Sequence, residues 1–185
     1  MILPIYIYGQ PVLRKEAQDI PADYEGLHDL LANMWDTLAE SEGIGLAAPQ
    51  IGKDIRVVII DLTPLAEDYP EYKDFKNAYI NPHILEYDES ETKTMEEGCL
   101  SLPGIHENVT RPTRIRVKWL DEQMQPHEEW VSGYLARVMQ HEFDHLNGVM
   151  FVDRVKPLRK QLIKGKLSSL LKGRYRCGYR TKPVK

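Results

Sequence analysis

The chain has 185 residues, of which 42% are hydrophobic and 28% are charged, with a formal net charge of -4. This composition is typical of a folded globular protein, and the length suits one domain. No stretch approaches the roughly 20 apolar residues of a membrane span, and two cysteines argue against a disulfide framework. We therefore expect a single domain over residues 1–185, located in the cytoplasm, with no membrane partner.

The charges are unevenly distributed along the chain. Residues 154–185 contain twelve Lys or Arg and no Asp or Glu, whereas residues 1–153 contain all 28 acidic residues. An acidic body with a basic C-terminal segment indicates that the segment contacts a polyanion. Ribosomal RNA is therefore a candidate partner of residues 154–185. The alternative is a helix packed on the body whose lysines are merely solvated.

The sequence of the first half of the chain predicts a helix followed by a segment of small residues. Apolar residues recur with helical spacing over residues 24–41, with Asp23 as the predicted N-cap and Gly43 after the end. Residues 43–50 read GIGLAAPQ, so little side chain covers the backbone there. The segment is either a tight turn of small residues or a backbone against which another chain lies. Gln50 is the polar residue that it presents.

The middle of the chain predicts short strands. Residues 55–61 are rich in β-branched side chains and indicate a buried strand, whereas residues 62–76, with two prolines and many charges, indicate a surface loop. Asn81-Pro82 predicts a turn between two short strands within residues 78–87. Two further alternating strands follow, at residues 115–120 and 128–131.

The C-terminal part predicts a second helix from Pro157 to Gly173, with an apolar stripe and a lysine-rich opposite face. The stripe consists of Leu158, Leu162, Leu167, Leu170 and Leu171. Residues 174–185 have the composition of a disordered tail, in which Cys177 has no predicted partner.

Residues 140–148, which read QHEFDHLNG, carry the strongest chemical signal. His141 and His145 lie four residues apart in a segment of helical period, for which Ser132 is the predicted cap. On a helix this spacing places both imidazoles on one face, where they reach a single metal ion. Glu142 points to the side of that ion, which suits a general base acting on water.

Residues 96–104, which read EEGCLSLPG, contain a candidate third ligand. A lone cysteine is most often a small buried hydrophobic residue, but Cys99 precedes a sharp turn in a chain that needs a third ligand. Two histidines and a cysteine leave one tetrahedral position open, as in catalytic metal sites. The Gln50 amide and a backbone N–H near Cys99 are candidate donors to an oxyanion.

The segments GIGLAAPQ, EGCLS and HEFDH, in this order, resemble the three motifs of the peptide deformylase family. The resemblance covers roughly residues 5–155. It implies an α+β fold in which small antiparallel β-sheets pack around a central α-helix bearing HExxH, and the helix predicted after Pro157 adds a C-terminal helix to this fold. It also implies a metallohydrolase that removes the N-formyl group from formyl-methionyl nascent polypeptides and releases formate.

The resemblance also implies a role for individual residues. Glu142 is the acid–base residue, and Gln50 and the backbone N–H of Leu100 stabilise the oxyanion. Glu97 lies behind the ligands, and we expect it to pair with Arg111. The implied metal ligands are Cys99, His141 and His145. The implied substrate contacts are the Gly45 backbone, which pairs with the peptide, and Ile44 and Val138, which line the methionine pocket beside the ring of His141.

The donor set leaves the identity of the metal open. Two imidazoles and a thiolate suit zinc, iron(II), cobalt or nickel. The resemblance implies one Fe²⁺ per chain as the native ion, with Zn²⁺, Ni²⁺ or Co²⁺ as substitutes.

One position departs from the family. Many bacterial members have an arginine seven residues after the metal cysteine, where it contacts the peptide, and this chain has His106 there. How the peptide is recognised beyond its first residue is therefore open.

Two alternative functions use the same motifs. Zinc endopeptidases share HExxH but take their third ligand from a downstream His or Glu, whereas after His145 this chain has no histidine and only Asp153 as a carboxylate. A ribosome- or RNA-binding module with a structural metal normally has four protein ligands. A structural metal site also does not need a general base, so it gives no role to Glu142.

Overall fold

The computed structural model describes residues 1–184. Its helices and strands, in chain order, are β1 (Ile5–Tyr6), α1 (Leu27–Ser41), β2 (Gly45–Ala47), β3 (Val57–Asp61), β4 (Lys76–Cys99), β5 (Leu102–Leu120), β6 (Pro126–Ser132), α2 (Gly133–Leu146), α3 (Pro157–Leu171) and β7 (Thr181–Lys182). Within this part of the chain, no helix combines the length and apolar character that crossing a bilayer requires.

The strands form one five-stranded sheet and one two-stranded pair. The larger sheet is antiparallel throughout, in the order β2-β3-β4-β5-β6. The pair joins β1 to β7, near the two ends of the chain, and is parallel. With three α-helices packed on these strands, the predicted α+β fold is confirmed.

The strand β3 shows how the sheet organises the core. The side chains of Val57 and Ile59 belong to the cluster that includes α1, whereas those of Val58 and Ile60 belong to the cluster that includes α2. Successive side chains of a strand point to opposite faces, so a strand covered on both sides has no polar face. This explains the continuous apolar run and confirms the prediction of a buried strand, although it begins at Val57.

The longest hairpin differs from the prediction. The sequence predicted two short strands separated at Asn81-Pro82, but β4 continues through this point to Cys99. The pairing with β5 shifts register between Ile80 and His83, which accommodates a proline that cannot donate to the ladder. Asn81, at φ 49°, exchanges side-chain hydrogen bonds with the backbone of Ile20. The turn signal therefore marks an irregularity within one strand.

Helix α2 lies on one face of the sheet and begins directly after Ser132, as predicted. Val138, Met139, Phe143 and Leu146 pack in the same cluster as residues of β3 and β5. This apolar packing fixes α2 on the sheet. The face of α2 that does not pack on the sheet points toward the turn between β4 and β5. Helix α1 covers the opposite face of the sheet but begins at Leu27, after Gly26 and not after the predicted cap Asp23.

The C-terminal segment departs from the predicted disorder. Helix α3 forms as predicted, with Ile163, Leu167 and Leu170 buried. Three leucines of the predicted stripe remain exposed, namely Leu158, Leu162 and Leu171. After α3 the chain folds back, and β7 pairs with β1. For residues 174–184 the expected disorder was thus wrong, because main-chain hydrogen bonds and two packed tyrosines fix this segment on the body; Lys185 lies outside the described residues.

Candidate metal centre and active site

Three donor atoms converge where the β4–β5 hairpin meets α2. Cys99 ends β4, and His141 and His145 lie one turn apart on α2. Their candidate ligand atoms all lie within 4.8 Å of one another, and Cys99 Sγ is 3.3 Å from His145 Nε2. Two donor atoms on one tetrahedral zinc ion are about 3.5 Å apart, given its usual bond lengths. The three residues therefore fit a single metal ion, as the sequence predicted.

Burial prepares His145 for this task. Its side chain is 1% exposed, and burial lowers its pKa well below the ordinary value, which keeps the imidazole neutral. Neutral imidazole is the form that binds metals. Its Nδ1 has no hydrogen-bond partner among residues 1–184.

Glu97 orients the other histidine. Its Oε1 lies 2.8 Å from His141 Nδ1, and donation from Nδ1 leaves the Nε2 lone pair free for a metal. Arg111 donates two hydrogen bonds to the same carboxylate, at 2.7 and 2.9 Å, so the pairing predicted from the sequence is present. Burial raises the pKa of Glu97, but its bonds with His141 and Arg111 outweigh this effect and hold the pKa far below the ordinary value.

The ionic network extends beyond the residues that the sequence indicated. Arg137, on α2, donates to Glu97 at 2.7 Å and to the Val109 carbonyl. Arg111 also donates to Asp144 at 2.8 Å, and Arg154 donates to Asp144 at 2.6 and 2.7 Å.

No sequence pattern had indicated a role for Arg137, Asp144 or Arg154. The sequence did contain one indication for Asp144: it lies inside the HEFDH motif, on a predicted helix with many apolar residues. The two arginines offered none that separates them from other basic residues.

Glu142 is buried next to the donor atoms, on the wall of the cleft. Its side chain is nearly buried, and burial raises its pKa to about 7, against the opposing effect of His141. A carboxyl group with such a pKa exchanges protons near neutral pH. Its Oε2 has no hydrogen-bond partner among residues 1–184. A Cβ atom at Gly45 would lie 2.5 Å from Glu142 Oε1, so the glycine leaves room for the carboxylate.

Gln50 is held with its amide facing the metal centre. Its Oε1 accepts a hydrogen bond from the Ala47 N–H at 2.9 Å, which fixes the orientation of the amide. Its Nε2 then points to Cys99 Sγ, at 3.5 Å, and to Ser101 Oγ, at 3.2 Å. A buried N–H group aimed at the centre is available to an oxygen atom that develops negative charge there.

These residues line a cleft of about 510 Å³. The predicted substrate residues Ile44, Gly45 and Val138 all lie on its wall, together with Gln50, Cys99, Leu100, His141 and Glu142. The strand β2 stands at the end of its sheet, and its edge away from β3 has no strand neighbour in the described part of the chain. Unexpectedly, residues 176–179 of the C-terminal segment also line the cleft.

Comparisons with known proteins agree with this site. The chain matches the model of the polypeptide deformylase family over residues 2–161. It is 44% identical over 187 residues to the peptide deformylase of Christiangramia forsetii, with 97% of this chain and 95% of that one covered. It is 42% identical over 191 residues to the peptide deformylase of Flavobacterium psychrophilum, with 100% of this chain and 98% of that one covered.

Solved structures give the same result. The peptide deformylase of Thermotoga maritima superposes with a TM-score of 0.76 and 41% identity, over 85% of this chain and 99% of that one. The Plasmodium falciparum peptide deformylase in complex with an inhibitor gives a TM-score of 0.79 and 32% identity, over 91% and 99%. Because the family match covers most of its length, and the fold and the Cys-His-His group agree with it, this chain belongs to the polypeptide deformylase family of metal-dependent hydrolases.

Proposed function

We propose that the cleft binds the formyl-methionyl end of a nascent polypeptide and that Glu142 and Gln50 act directly in removal of the formyl group as formate. The observation that carries this assignment is the juxtaposition of the buried Glu142 carboxyl with three metal-binding donors in one cleft. A structural metal site would have no use for this carboxyl or for an open coordination position.

The chemistry divides among these residues. A divalent metal ion held by Cys99, His141 and His145 supplies Lewis-acid chemistry, which makes water more acidic and polarises the formyl carbonyl. Glu142 takes the proton of the attacking water and delivers it to the leaving amine. Gln50 Nε2 and the Leu100 backbone N–H donate to the developing oxyanion.

The substrate contacts follow from the walls of the cleft. The open edge of β2 at Gly45 supports main-chain pairing with an extended peptide. Ile44 and Val138, which line the same cleft as His141, form an apolar pocket for the methionine side chain. Transfer of the methionine side chain from water into such an apolar pocket is favourable.

Replacing Glu142 by Gln tests the proton-transfer role. The amide keeps the shape of the side chain but cannot accept the proton, so formate release from formyl-Met-Ala-Ser should fall about 10²- to 10⁴-fold. Metal analysis of both proteins serves as the control, because the variant should retain its metal. Unchanged formate release by the metal-loaded variant would exclude Glu142 as the base.

The same assay separates the deformylase from the alternative functions. A zinc endopeptidase would cleave an internal peptide bond of an unformylated peptide, and a purely RNA-binding module would cleave neither substrate. Formyl-peptide hydrolysis without internal cleavage is the expected result, since the family match runs through all three motifs.

We further propose that the native metal is Fe²⁺. The support is the donor set of one thiolate and two imidazoles, which suits Fe²⁺ as well as Zn²⁺, while occupancy in a cell follows metal availability and not the affinity order alone, together with membership of the family. Protein purified without oxygen should contain iron, and exposure to air should abolish formate release until Ni²⁺ or Co²⁺ replaces the oxidised ion. Full activity with zinc as the sole metal, insensitive to air, would contradict this assignment.

Glu97 is proposed to hold His141 in its metal-binding orientation. Replacing Glu97 by Gln removes the charge that faces His141, Arg111 and Arg137, and metal affinity should fall about 10- to 100-fold. The neighbouring Glu96 is exposed, so Glu96→Gln is the matched control and should bind metal like the wild type. Equal affinities in a competition titration with a chelator would refute the role of Glu97.

Two broader proposals concern the setting of the enzyme. We propose that residues 1–185 act as one domain, since α3 and the C-terminal segment pack against the same core cluster as β1 and α1. We also propose a cytoplasmic location, because formylated nascent chains emerge there from bacterial ribosomes.

We propose in addition that α3 contacts ribosomal RNA. Its exposed surface carries Lys160, Lys164 and Lys166, and phosphate contacts through such residues weaken with salt. The exposed Leu158 and Leu162 add apolar surface next to them.

Reversing the three lysine charges to Glu tests this docking. Co-sedimentation of the wild type with ribosomes at low salt should be lost in the triple variant and in the wild type at high salt. Lys73 and Lys118 are exposed lysines of the body, and their double Glu variant should behave like the wild type. Co-sedimentation unaffected by the triple change would show that these lysines are merely solvated.

A further inference from the structure

The C-terminal segment forms one side of the active-site cleft. We call its residues 176–179 the C-terminal wall, since all four line the cleft. The family match ends at residue 161, so the wall lies outside the part of the chain that this match describes. All three family motifs precede residue 161, so the wall is a part of the cleft that those motifs do not describe.

Main-chain hydrogen bonds on one side fix the position of the wall. The N–H of Ile5 donates to the Arg180 carbonyl at 2.9 Å, and the N–H of Ile7 donates to the Lys182 carbonyl at 3.1 Å. The Gln10 side chain adds a hydrogen bond to the Pro183 carbonyl at 2.7 Å. These contacts hold the residues that directly follow the wall through their main-chain carbonyls.

A side-chain contact fixes the wall to the metal centre. The Tyr179 hydroxyl donates to the Leu100 carbonyl at 2.7 Å, and Leu100 follows the candidate ligand Cys99. Tyr175 and Tyr179 pack against the core cluster at the same time. The wall is thus joined to the turn that carries the proposed oxyanion donor.

Arg176 is the cation that the wall presents. Its side chain is exposed and lines the cleft, and among residues 1–184 it has no ion-pair or hydrogen-bond partner. The other arginine of the cleft, Arg137, is bound to Glu97 and to the Val109 carbonyl. The Arg176 guanidinium is therefore available to bind a ligand, whereas the Arg137 guanidinium already donates hydrogen bonds to Glu97 and Val109.

An extended peptide would bring suitable acceptors to Arg176. The same cleft is lined by Gly45 on the open edge of β2, where a substrate strand can add. Beyond the methionine, such a strand exposes main-chain carbonyl oxygens along the cleft, and a guanidinium group offers five N–H donors. His106 also lines the cleft but packs on Gly98, where an added Cβ would lie 2.7 Å from its ring.

We propose that Arg176 binds the formylated peptide beyond its methionine, by donating hydrogen bonds to main-chain carbonyl oxygens of the following residues. The proposal rests on the proposed function, since it takes the nascent peptide as the occupant of the cleft. It assigns peptide recognition to the C-terminal wall, which follows all three motifs in the sequence.

Steady-state kinetics with a long and a short substrate test this assignment. Arg176→Ala should raise KM for formyl-Met-Ala-Ser about tenfold, the usual effect of losing a charged hydrogen bond, with kcat unchanged. It should leave KM for formyl-methionine amide unchanged, because this substrate lacks the residues beyond methionine. Arg174→Ala and Arg180→Ala remove the same charge from exposed positions outside the cleft and should behave like the wild type.

A binding measurement makes the test independent of turnover. Calorimetric titration of the metal-loaded proteins with the peptide Met-Ala-Ser should show weaker binding to Arg176→Ala than to the wild type and to both control variants. Equal binding, equal KM values, or the same loss in Arg174→Ala would overturn the role of Arg176. A wild type that releases no formate yet binds the peptide through Arg176 would refute the proposed function and leave this binding site standing.

Discussion

The carboxylate of Glu97 is the contact on which the geometry of the site depends. It joins the end of β4 to Arg111 on β5 and to Arg137 and His141 on α2, so one buried charge fixes the hairpin and the helix relative to each other. Removing one partner of a buried ion pair costs about 3–5 kcal/mol, because the remaining charge is left unpaired. The apolar packing brings α2 to the sheet, but the direction of the His141 ring requires this carboxylate.

The surroundings of the two buried carboxyl groups, Glu97 and Glu142, give them different pKa values. Glu97 stays ionised because His141 and Arg111 face it, whereas burial raises the pKa of Glu142, on the same helix as His141, to about 7. Two carboxyl groups close to one metal site thus differ in protonation because their surroundings differ. Gly45 allows Glu142 to occupy this position, since any larger residue would fill the space of the Glu142 carboxylate.

The sequence predicted the parts of the site that depend on local spacing. His141, Glu142 and His145 occupy one helical turn, so their relative placement follows from helix geometry alone, and the short motifs around Gln50 and Cys99 indicated the rest through family resemblance. Arg137 and Arg154 were missed because their partners are distant in sequence and long-range ion pairs leave no periodic signal. The C-terminal segment was misjudged for a related reason, since its polar composition hides the main-chain pairing of β7 with β1.

Metal binding and folding are coupled through this arrangement. The candidate ligands come from a hairpin turn and a helix, so the unfolded chain has no preformed site, and a bound ion adds a second connection at the junction that Glu97 already fixes. A ligand that binds the native state alone stabilises it by mass action. Since Glu97 orients His141 before any ion arrives, less free energy is needed to order the site on binding. The protein contacts that dock α2 on the hairpin therefore contribute to metal affinity as well as to stability.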